Sequence, residues 1–428
     1  MSKIKYIDLF AGMGGIRLGF SQACDELGLN HQCVFSSEIK PYAVDIYKYN
    51  FNEHYIHGDI TQINANEIPD FDYLLAGFPC QAFSTAGKQL GFDDIRGTLF
   101  FDVARILKEK KPKGFILENV EGFVTHDKEC KTDEIGRTLK TILKTLKDMN
   151  YKVSWKILDA ANFGVPQTRK RVFITGHLIN EPNLENFQLK KSKIGSILEY
   201  GLPTLTSSFT QQLLKYYSVE ELKGKSIKDK RGGSDNIHSW DIAIKGEISK
   251  YQKIILERLL RERRKKHWAQ LKGIVWMDGM PLTYNEIASF CTDIPSEQLQ
   301  LLLSDLETKG YVKLEHPKDI ITIDGKNKRH PDITKAKGYN IVTGKLSFEF
   351  NCILHPEEIA NTLVATEVDR IGVIDGKGIR RLSNKECLRF FGFPDSYQSN
   401  IANVKLYDLI GNTVAVPVVK AVALKLLG

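Results

Sequence analysis

This chain of 428 residues has no Cys-x-x-Cys pair. Its seven cysteines, at 24, 33, 80, 130, 291, 352 and 387, are odd in number and scattered. A disulfide framework and a zinc site are therefore both excluded as expectations, no metal is expected, and the setting reads as reducing and cytoplasmic. No unbroken apolar run reaches the roughly 18 residues of a membrane span. The opening Met1-Ser2-Lys3-Ile4-Lys5 enters an apolar segment without a signal-peptide core. Internal repeats and low-complexity tracts are also missing. Hydrophobic residues make up 42% and charged residues 26% of the chain, ordinary proportions for a globular protein long enough for two or three domains.

Positive charge is present but uneven. Of a formal net charge of +8, the stretch from Lys223 to Lys272 carries fifteen Lys/Arg against six Asp/Glu, a local balance of +9 that leaves the remainder near −1. Such density suggests a polyanionic partner, nucleic acid most simply. A solvated helix face is the competing reading.

Over residues 3–177, short apolar strands alternate with helix-length segments. Strands are expected at 4–10, 33–37, 72–76, 115–118, 152–158 and 171–175, and helices at 15–28, 41–51, 98–110 and 135–149. This rhythm predicts an α/β fold with a doubly wound, mostly parallel sheet. Beyond 176 the rhythm stops. Within 250–316, a long basic helix at 251–268, two helices at 282–290 and 296–309, and a strand at 310–314 have the order of a winged helix. Patterns of this kind either contact DNA or serve as packing modules. The α/β texture returns after 359. The expected organisation is a first catalytic and cofactor-binding part at 1–177, an insert at 178–355, and a C-terminal return at 356–428.

Chemistry-bearing residues gather where strands end, the edge at which open α/β sheets place their sites. Asp8-Leu9-Phe10-Ala11-Gly12-Met13-Gly14-Gly15 joins the first strand to the first helix; its glycines permit a tight turn and close approach of a nucleoside. Glu38 ends the second strand, placed to accept from ribose hydroxyls, and Asp59 is placed to receive an adenine amino group. Three such strand ends suggest an adenosyl cofactor. Gly77-Phe78-Pro79-Cys80-Gln81 sets a thiol after an apolar strand, where it suits a nucleophile better than core filling. Glu118, closing another apolar strand, requires a partner or a proton. Arg169 and Arg171 alternate into the last strand as forked donors on one face.

In this order the segments 8–15, Glu38, 58–60, 77–84, Arg96-Gly97-Thr98-Leu99-Phe100, 118–120, 165–171, 380–383 and Gly411-Asn412-Thr413-Val414 resemble the (cytosine-5)-specific DNA methyltransferase family, of the prokaryotic restriction–modification type. The resemblance covers 1–177 and about 355–428. It implies the S-adenosylmethionine-dependent methyltransferase fold with a large inserted target-recognition domain, the winged-helix-like segment lying inside it. It also implies Cys80 as nucleophile toward carbon 6 of a flipped-out cytosine, Glu118 as the acid at ring nitrogen 3, and Arg171 with Arg169 holding the base carbonyl. By the same carry-over, Phe10, Gly12, Gly14, Gly15, Glu38, Asp59, Ile60, Pro79, Leu99 and Asn412 would bind S-adenosylmethionine. Asn412 would then require the C-terminus to fold back onto the first strand–helix unit. Thr413 and Ser383 stand where the family more often has Ser and Thr, and both keep a hydroxyl. Double-stranded DNA is the implied partner, with a cognate restriction endonuclease as genetic partner and a monomeric enzyme. Two alternatives stand beside this one. A transfer-RNA cytosine methyltransferase is opposed by the large insert and by Phe-Pro-Cys in place of Pro-Pro-Cys. A non-catalytic winged-helix regulator is opposed by the retention of Cys80 and Glu118.

Overall fold

The computed structural model describes residues 3–79, 99–230, 232–323, 326–343 and 348–428. They form two compact units. The first comprises Met1–Glu199, His355–Asp369 and Leu382–Gly428; the second comprises Tyr200–Leu354 and Arg370–Arg381. The segment 370–381 thus belongs with the insert rather than with the C-terminal return.

The first unit opens with β1 (Ile4–Leu9), α1 (Gly15–Glu26), β2 (His31–Ser37), α2 (Pro41–Phe51), β3 (Tyr73–Ala76), α3 (Leu99–Lys110), β4 (Gly114–Val120), α4 (Arg137–Asp148), β5 (Lys152–Asp159) and β6 (Lys170–His177). The strands form one sheet in the order β2-β1-β3-β4-β6-β5. Pairs β1–β2, β1–β3 and β3–β4 are parallel, and β6 alone runs against its neighbours. The reversal follows from chain length: the link from β5 to β6 is short, which suffices for an antiparallel neighbour but not for a parallel crossover. Every residue of β3, Tyr-Leu-Leu-Ala, is buried, as a sheet covered on both faces requires. Leu74 and Leu117 enter one core with Phe100, Leu139, Ile142 and Leu146 of α3 and α4. Their neighbours Leu75 and Ile116 point to the opposite core, beneath α1. The mostly parallel, doubly wound sheet read from the sequence is what the chain forms.

In the second unit, α5 (Ser208–Tyr216), α6 (Val219–Leu222), β7 (Ser226–Ile227) and β8 (Asn236–Ile237) precede α7 (Lys250–Glu262), α8 (Lys266–Leu271), α9 (Tyr284–Phe290) and α10 (Ser296–Thr308). Then come β9 (Val312–Glu315), β10 (Lys318–Ile323), β11 (Lys326–Pro331), β12 (Gly338–Ile341), β13 (Cys352–Ile353), β14 (Ile371–Asp375) and β15 (Gly378–Arg381). One five-stranded sheet has the order β15-β14-β13-β7-β8. The long helix expected at 251–268 is broken after Glu262. Arg263 is buried, and its guanidinium donates to Asn340 Oδ1 at 2.6 Å. Its carbonyl accepts from the amides of Gly279 and Met280. Tertiary partners, rather than local propensity, end the helix there.

In the basic stretch, read as either a polyanion site or a solvated face, several cations are paired. Lys253 pairs with Asp241, Arg258 with Asp293, Arg264 with Asp278, Lys265 with Glu262, Lys272 with Glu286, Lys223 with Glu220 and Lys225 with Asp235. Four of these acids, Glu220, Asp278, Glu286 and Asp293, come from outside 223–272 and offset part of its charge.

The chain ends with α11 (Asn384–Arg389), α12 (Asn403–Asn412) and α13 (Val416–Leu427). By length and composition alone, 403–427 would pass as a membrane span, but 61% of its most apolar window is buried. It is two helices, and α13 lies directly on α1. A Cβ on Gly19 would come within 2.6 Å of Val419 Cβ and 2.8 Å of the Val416 carbonyl. Glycine there sets the closeness of the helix pair.

Candidate active site

Sheet register brings the site residues to one level. Leu9 pairs with Ser37 on one side and Ala76 on the other, and Ala76 pairs with Leu117. The next residue of each strand segment is therefore Phe10, Glu38, Gly77 and Glu118. Four residues distant in sequence become neighbours along the carboxyl edge of the sheet.

At β1, Phe10 takes φ 53, Gly12 φ 54 and Gly14 φ 79. A left-handed phenylalanine is uncommon and costs on the order of 1–3 kcal/mol. The turn returns the chain into α1 at once. A Cβ on Gly14 would lie 2.2 Å from the Phe51 ring, and one on Gly15 would lie 2.9 Å from Thr413 Oγ1. Near Gly12 the closest described atom would be 4.0 Å away, and no described atom would lie within 4 Å of a Cβ on Gly58. Among the described residues the loop is thus sealed at Gly14 and Gly15 and open at Gly12, a cradle suited to a nucleoside-sized ligand. Glu38 braces it, one carboxylate oxygen accepting from Gly12 N and the other from Ile39 N and Lys40 N, all at 2.8 Å. Exposed Asp59 accepts from Thr61 N with one oxygen, and Ile60 beside it is buried.

Asn412 is exposed, and its amide donates to the Asp408 carbonyl at 2.7 Å. Asp408 in turn accepts from Lys40 Nζ at 2.8 Å and Tyr42 OH at 2.6 Å. A carboxylate from α12 thereby ties Asn412 to the start of α2. Asp408 carries no local sequence signal, and reading the chain alone missed it.

Beneath the glycine loop, Tyr47 OH donates to Asp8 at 2.9 Å and accepts from Arg17. Asp8 is 1% exposed, and burial pushes its carboxyl up to about 7. The unfolded group ionises near 3.9. Between these values folding binds a proton, so this stabilisation is present below about pH 4 and lost as pH rises through 7. Neutral Asp8→Asn is expected to flatten the dependence: between pH 5 and 8 the wild-type melting temperature should fall more than the variant's. Parallel slopes in a thermal-melt series would refute the assignment.

The loop after β3 is rooted by Phe78, buried between the rings of Phe100 and Phe123. Asn119 Nδ2 donates to the Phe78 carbonyl at 3.0 Å. This anchoring role of Asn119 was not read from the sequence, although the residue stood beside Glu118 in the motif. Pro79 is exposed, and Leu99 opens α3 half-buried. Cys80 follows Pro79 and lies outside the described residues, as do residues 96–98 of the Arg96-Phe100 motif.

Glu118 is 8% exposed. A Cβ on Gly77 would sit 3.4 Å from its Oε2, so the carboxyl lies against the backbone three residues before Cys80. Arg171 Nε meets Glu118 Oε1 at 3.1 Å. In the β4–β6 register Arg171 faces Val120 while Glu118 faces Phe173, which makes the ion pair a diagonal neighbour. Burial raises the Glu118 pKa, and the charges of Arg171 and Arg169 pull against that rise. The result is a carboxyl that holds its proton longer than an ordinary glutamate.

Arg169 does not share the disposition of Arg171 toward Glu118. It is 1% exposed and donates to the carbonyls of Leu363 at 3.3 Å, Gly411 at 2.9 Å and Thr413 at 2.7 Å. Its guanidinium lies 5.0 Å from the Phe391 ring centroid. Burial lowers it to about 9, which leaves it a cation at neutral pH. Its donors hold the C-terminal 411–413 turn instead of pointing to solvent. Arg169→Met is expected to destabilise the protein by about 3 kcal/mol through orphaned buried carbonyls. A melting temperature within a degree of wild type would contradict that role.

Comparisons with known proteins show the family. The sequence matches the family described as C-5 cytosine-specific DNA methylase over residues 4–428. Type II methyltransferase M.NlaIV of Neisseria lactamica is 56% identical over 427 residues, covering 100% of this chain and 99% of that protein. Type II methyltransferase M.BanI of Aneurinibacillus aneurinilyticus is 38% identical over 445 residues, covering 98% and 95%. The crystal structure of a Spodoptera frugiperda DNMT2 mutant shares the fold, with a TM-score of 0.51 at 18% identity over 99% of this chain and 100% of that one. With a match along essentially its whole length and a buried glutamate–arginine pair beside the root of the Phe-Pro-Cys loop, the chain belongs to the C-5 cytosine-specific DNA methylase family and is a DNA (cytosine-5)-methyltransferase.

Proposed function

We propose that the chain methylates carbon 5 of a cytosine flipped out of duplex DNA, with Cys80 as covalent nucleophile, as the modification enzyme of a Type II restriction–modification system. The observation that carries the site assignment is the Glu118–Arg171 pair packed against Gly77 at the root of the Cys80 loop. Carbon 5 of cytosine is a weak nucleophile. Addition of the Cys80 thiolate to carbon 6 converts the ring to an enamine, and electron density moves toward nitrogen 3 and the carbonyl oxygen. Protonated Glu118 donates to nitrogen 3 as that charge grows, and the Arg171 guanidinium keeps Glu118 oriented and offers further donors to the base. Loss of the carbon-5 proton to a general base, with return of the nitrogen-3 proton to Glu118, then lets the Cys80 sulfur depart as thiolate and restores the aromatic ring. A stacked base cannot reach these groups, so extrusion from the duplex is required.

S-adenosylmethionine, when bound, supplies an electrophilic methyl group on its sulfonium. The open cradle at Gly12, the level of Phe10 and Glu38, exposed Asp59 and the tethered Asn412 fit its adenosyl and amino-acid parts; Gly14, Gly15, Ile60, Pro79 and Leu99 complete the proposed pocket. A cognate endonuclease and action in the compartment that holds the DNA, the cytoplasm of a bacterium, belong to the same reading. Radiolabelled methyl donor offered with unmethylated duplex DNA or with transfer RNA tests it. Label in 5-methylcytosine of DNA is the expected result, and label confined to transfer RNA overturns it. The structural likeness to DNMT2 shows fold alone, and the full-length family match favours DNA.

A further inference from the structure

The second unit contains a helix-turn-helix whose two faces differ in charge. α9 and α10 pack over a core that includes Leu282, Leu299, Leu303, Leu306, Tyr339 and Ile341. β9 pairs antiparallel with β12, and the hairpin β10–β11 emerges between them as the wing. In such modules the second helix ordinarily enters the major groove. Here that helix is α10, Ser-Glu-Gln-Leu-Gln-Leu-Leu-Leu-Ser-Asp-Leu-Glu-Thr, which contains no Lys or Arg. Its exposed surface includes Glu297 and Asp305. Lys309, the cation at its end, is held by Asp305 at 2.6 Å and the Glu247 carbonyl at 2.8 Å. Phosphates would be repelled from this helix.

The wing has the opposite character. Residues 316–338 carry six Lys/Arg against three Asp. On β11, Lys328 and His330 share one face of the ribbon and Arg329 lies on the other, all three exposed. Arg329 donates to the Trp276 carbonyl at 3.4 Å, and none of the three has an acidic partner among the described residues. Asp319, which faces His330 across the ribbon, accepts from Ile320 N, and Asp332 accepts from Thr334. Across the ribbon Ile320 faces Arg329 and Ile321 faces Lys328. The two isoleucines remain 37% and 44% exposed. A two-stranded ribbon without a covering layer is marginal by itself. A basic ribbon with uncovered apolar side chains matches the major groove of duplex DNA, which admits two strands and offers phosphates at its rims and thymine methyls within.

We infer that this module contacts duplex DNA through the β10–β11 ribbon, with Lys328, Arg329 and His330 as its donors, and not through α10. The inference rests on the DNA reading of the preceding section and adds the element that makes the contact. The test uses the full chain. One variant combines Lys328→Ala, Arg329→Ala and His330→Ala, and a control combines Gln298→Ala, Gln300→Ala and Ser304→Ala on α10. Binding to a fluorescent 40-base-pair duplex of randomised sequence is measured against salt, and methyl transfer is measured on amplified, unmethylated genomic DNA. The ribbon variant should raise Kd and the KM for DNA at least tenfold, with kcat little changed. It should also lower the log–log salt slope by about 2, since each lost phosphate contact removes about 0.9. The α10 control should stay within twofold of wild type. Unaltered binding by the ribbon variant, or weakening by the α10 control alone, overturns the inference. Should the ribbon triple fail to fold, Lys328→Gln and Arg329→Gln singly give the same comparison. A wild type that binds duplex but transfers no methyl defeats the enzymatic reading while the binding series still decides the ribbon; a wild type that binds no duplex defeats both.

Discussion

Cys80→Ser is expected to reduce methyl transfer to duplex DNA by on the order of 10⁴-fold or more, the scale seen when a covalent nucleophile is removed. A serine hydroxyl is scarcely ionised at neutral pH, whereas a cysteine thiol in an electropositive setting is substantially thiolate. The binding of S-adenosylmethionine and of DNA should survive, because in the proposed pocket the cradle at Gly12 and the Asp408–Asn412 tether do not involve the sulfur. The decisive measurement pairs turnover with trapping. A duplex carrying 5-fluorocytosine cannot lose fluorine as a cation, so the wild type should accumulate a covalent adduct and the serine variant none. Residual transfer within tenfold of wild type, or trapping at another residue, would remove Cys80 from the mechanism.

Glu118→Gln should lower kcat by about 100-fold or more, with a small change in the KM for DNA, since positioned proton donation contributes about 10²–10⁴. The amide keeps a hydrogen bond near the base but cannot deliver a proton. The pH profile carries the sign. Burial holds the Glu118 carboxyl above its ordinary range, with Arg171 and Arg169 opposing. Activity therefore declines on the alkaline side as that proton is lost, and Glu118→Gln should lack this limb. Removing the Arg171 charge leaves burial less opposed, so the limb in Arg171→Ala should move to higher pH even as overall activity falls. A limb that persists unchanged in Glu118→Gln assigns it to another group.

The two residues also show how legibility varied along the chain. Glu118 was conspicuous because a carboxylate ending the apolar run Phe115-Ile116-Leu117 needs a reason. Its partner was less so: Arg169 and Arg171 share a parity in sequence and look equivalent as forked donors. They separate only when the C-terminal segment returns. Arg169 then becomes a buried clasp on the Leu363, Gly411 and Thr413 carbonyls, and Arg171 is left to Glu118. A similar ambiguity affected the basic stretch. Charge is visible residue by residue, but pairing is not, and Asp278, Glu286 and Asp293 absorb cations from well before them in the chain. The helix expected to run through 268 failed for the same reason, since Arg263 answers to Asn340 rather than to its own turn.

Local sequence determined the strands and helices of the first unit and the reaction family. Strand runs, turn glycines and a thiol after Gly-Phe-Pro are short-range features, set by backbone sterics and by side-chain chemistry that travels with the residue. Tertiary structure alone decided which charges are free and which are spent. It set Phe10, Glu38, Gly77 and Glu118 at one level through sheet register, and tied Asn412 to α2 through Asp408. Electrostatic and hydrogen-bond partners are chosen by distance in space, and distance in space is what a linear order of residues does not contain.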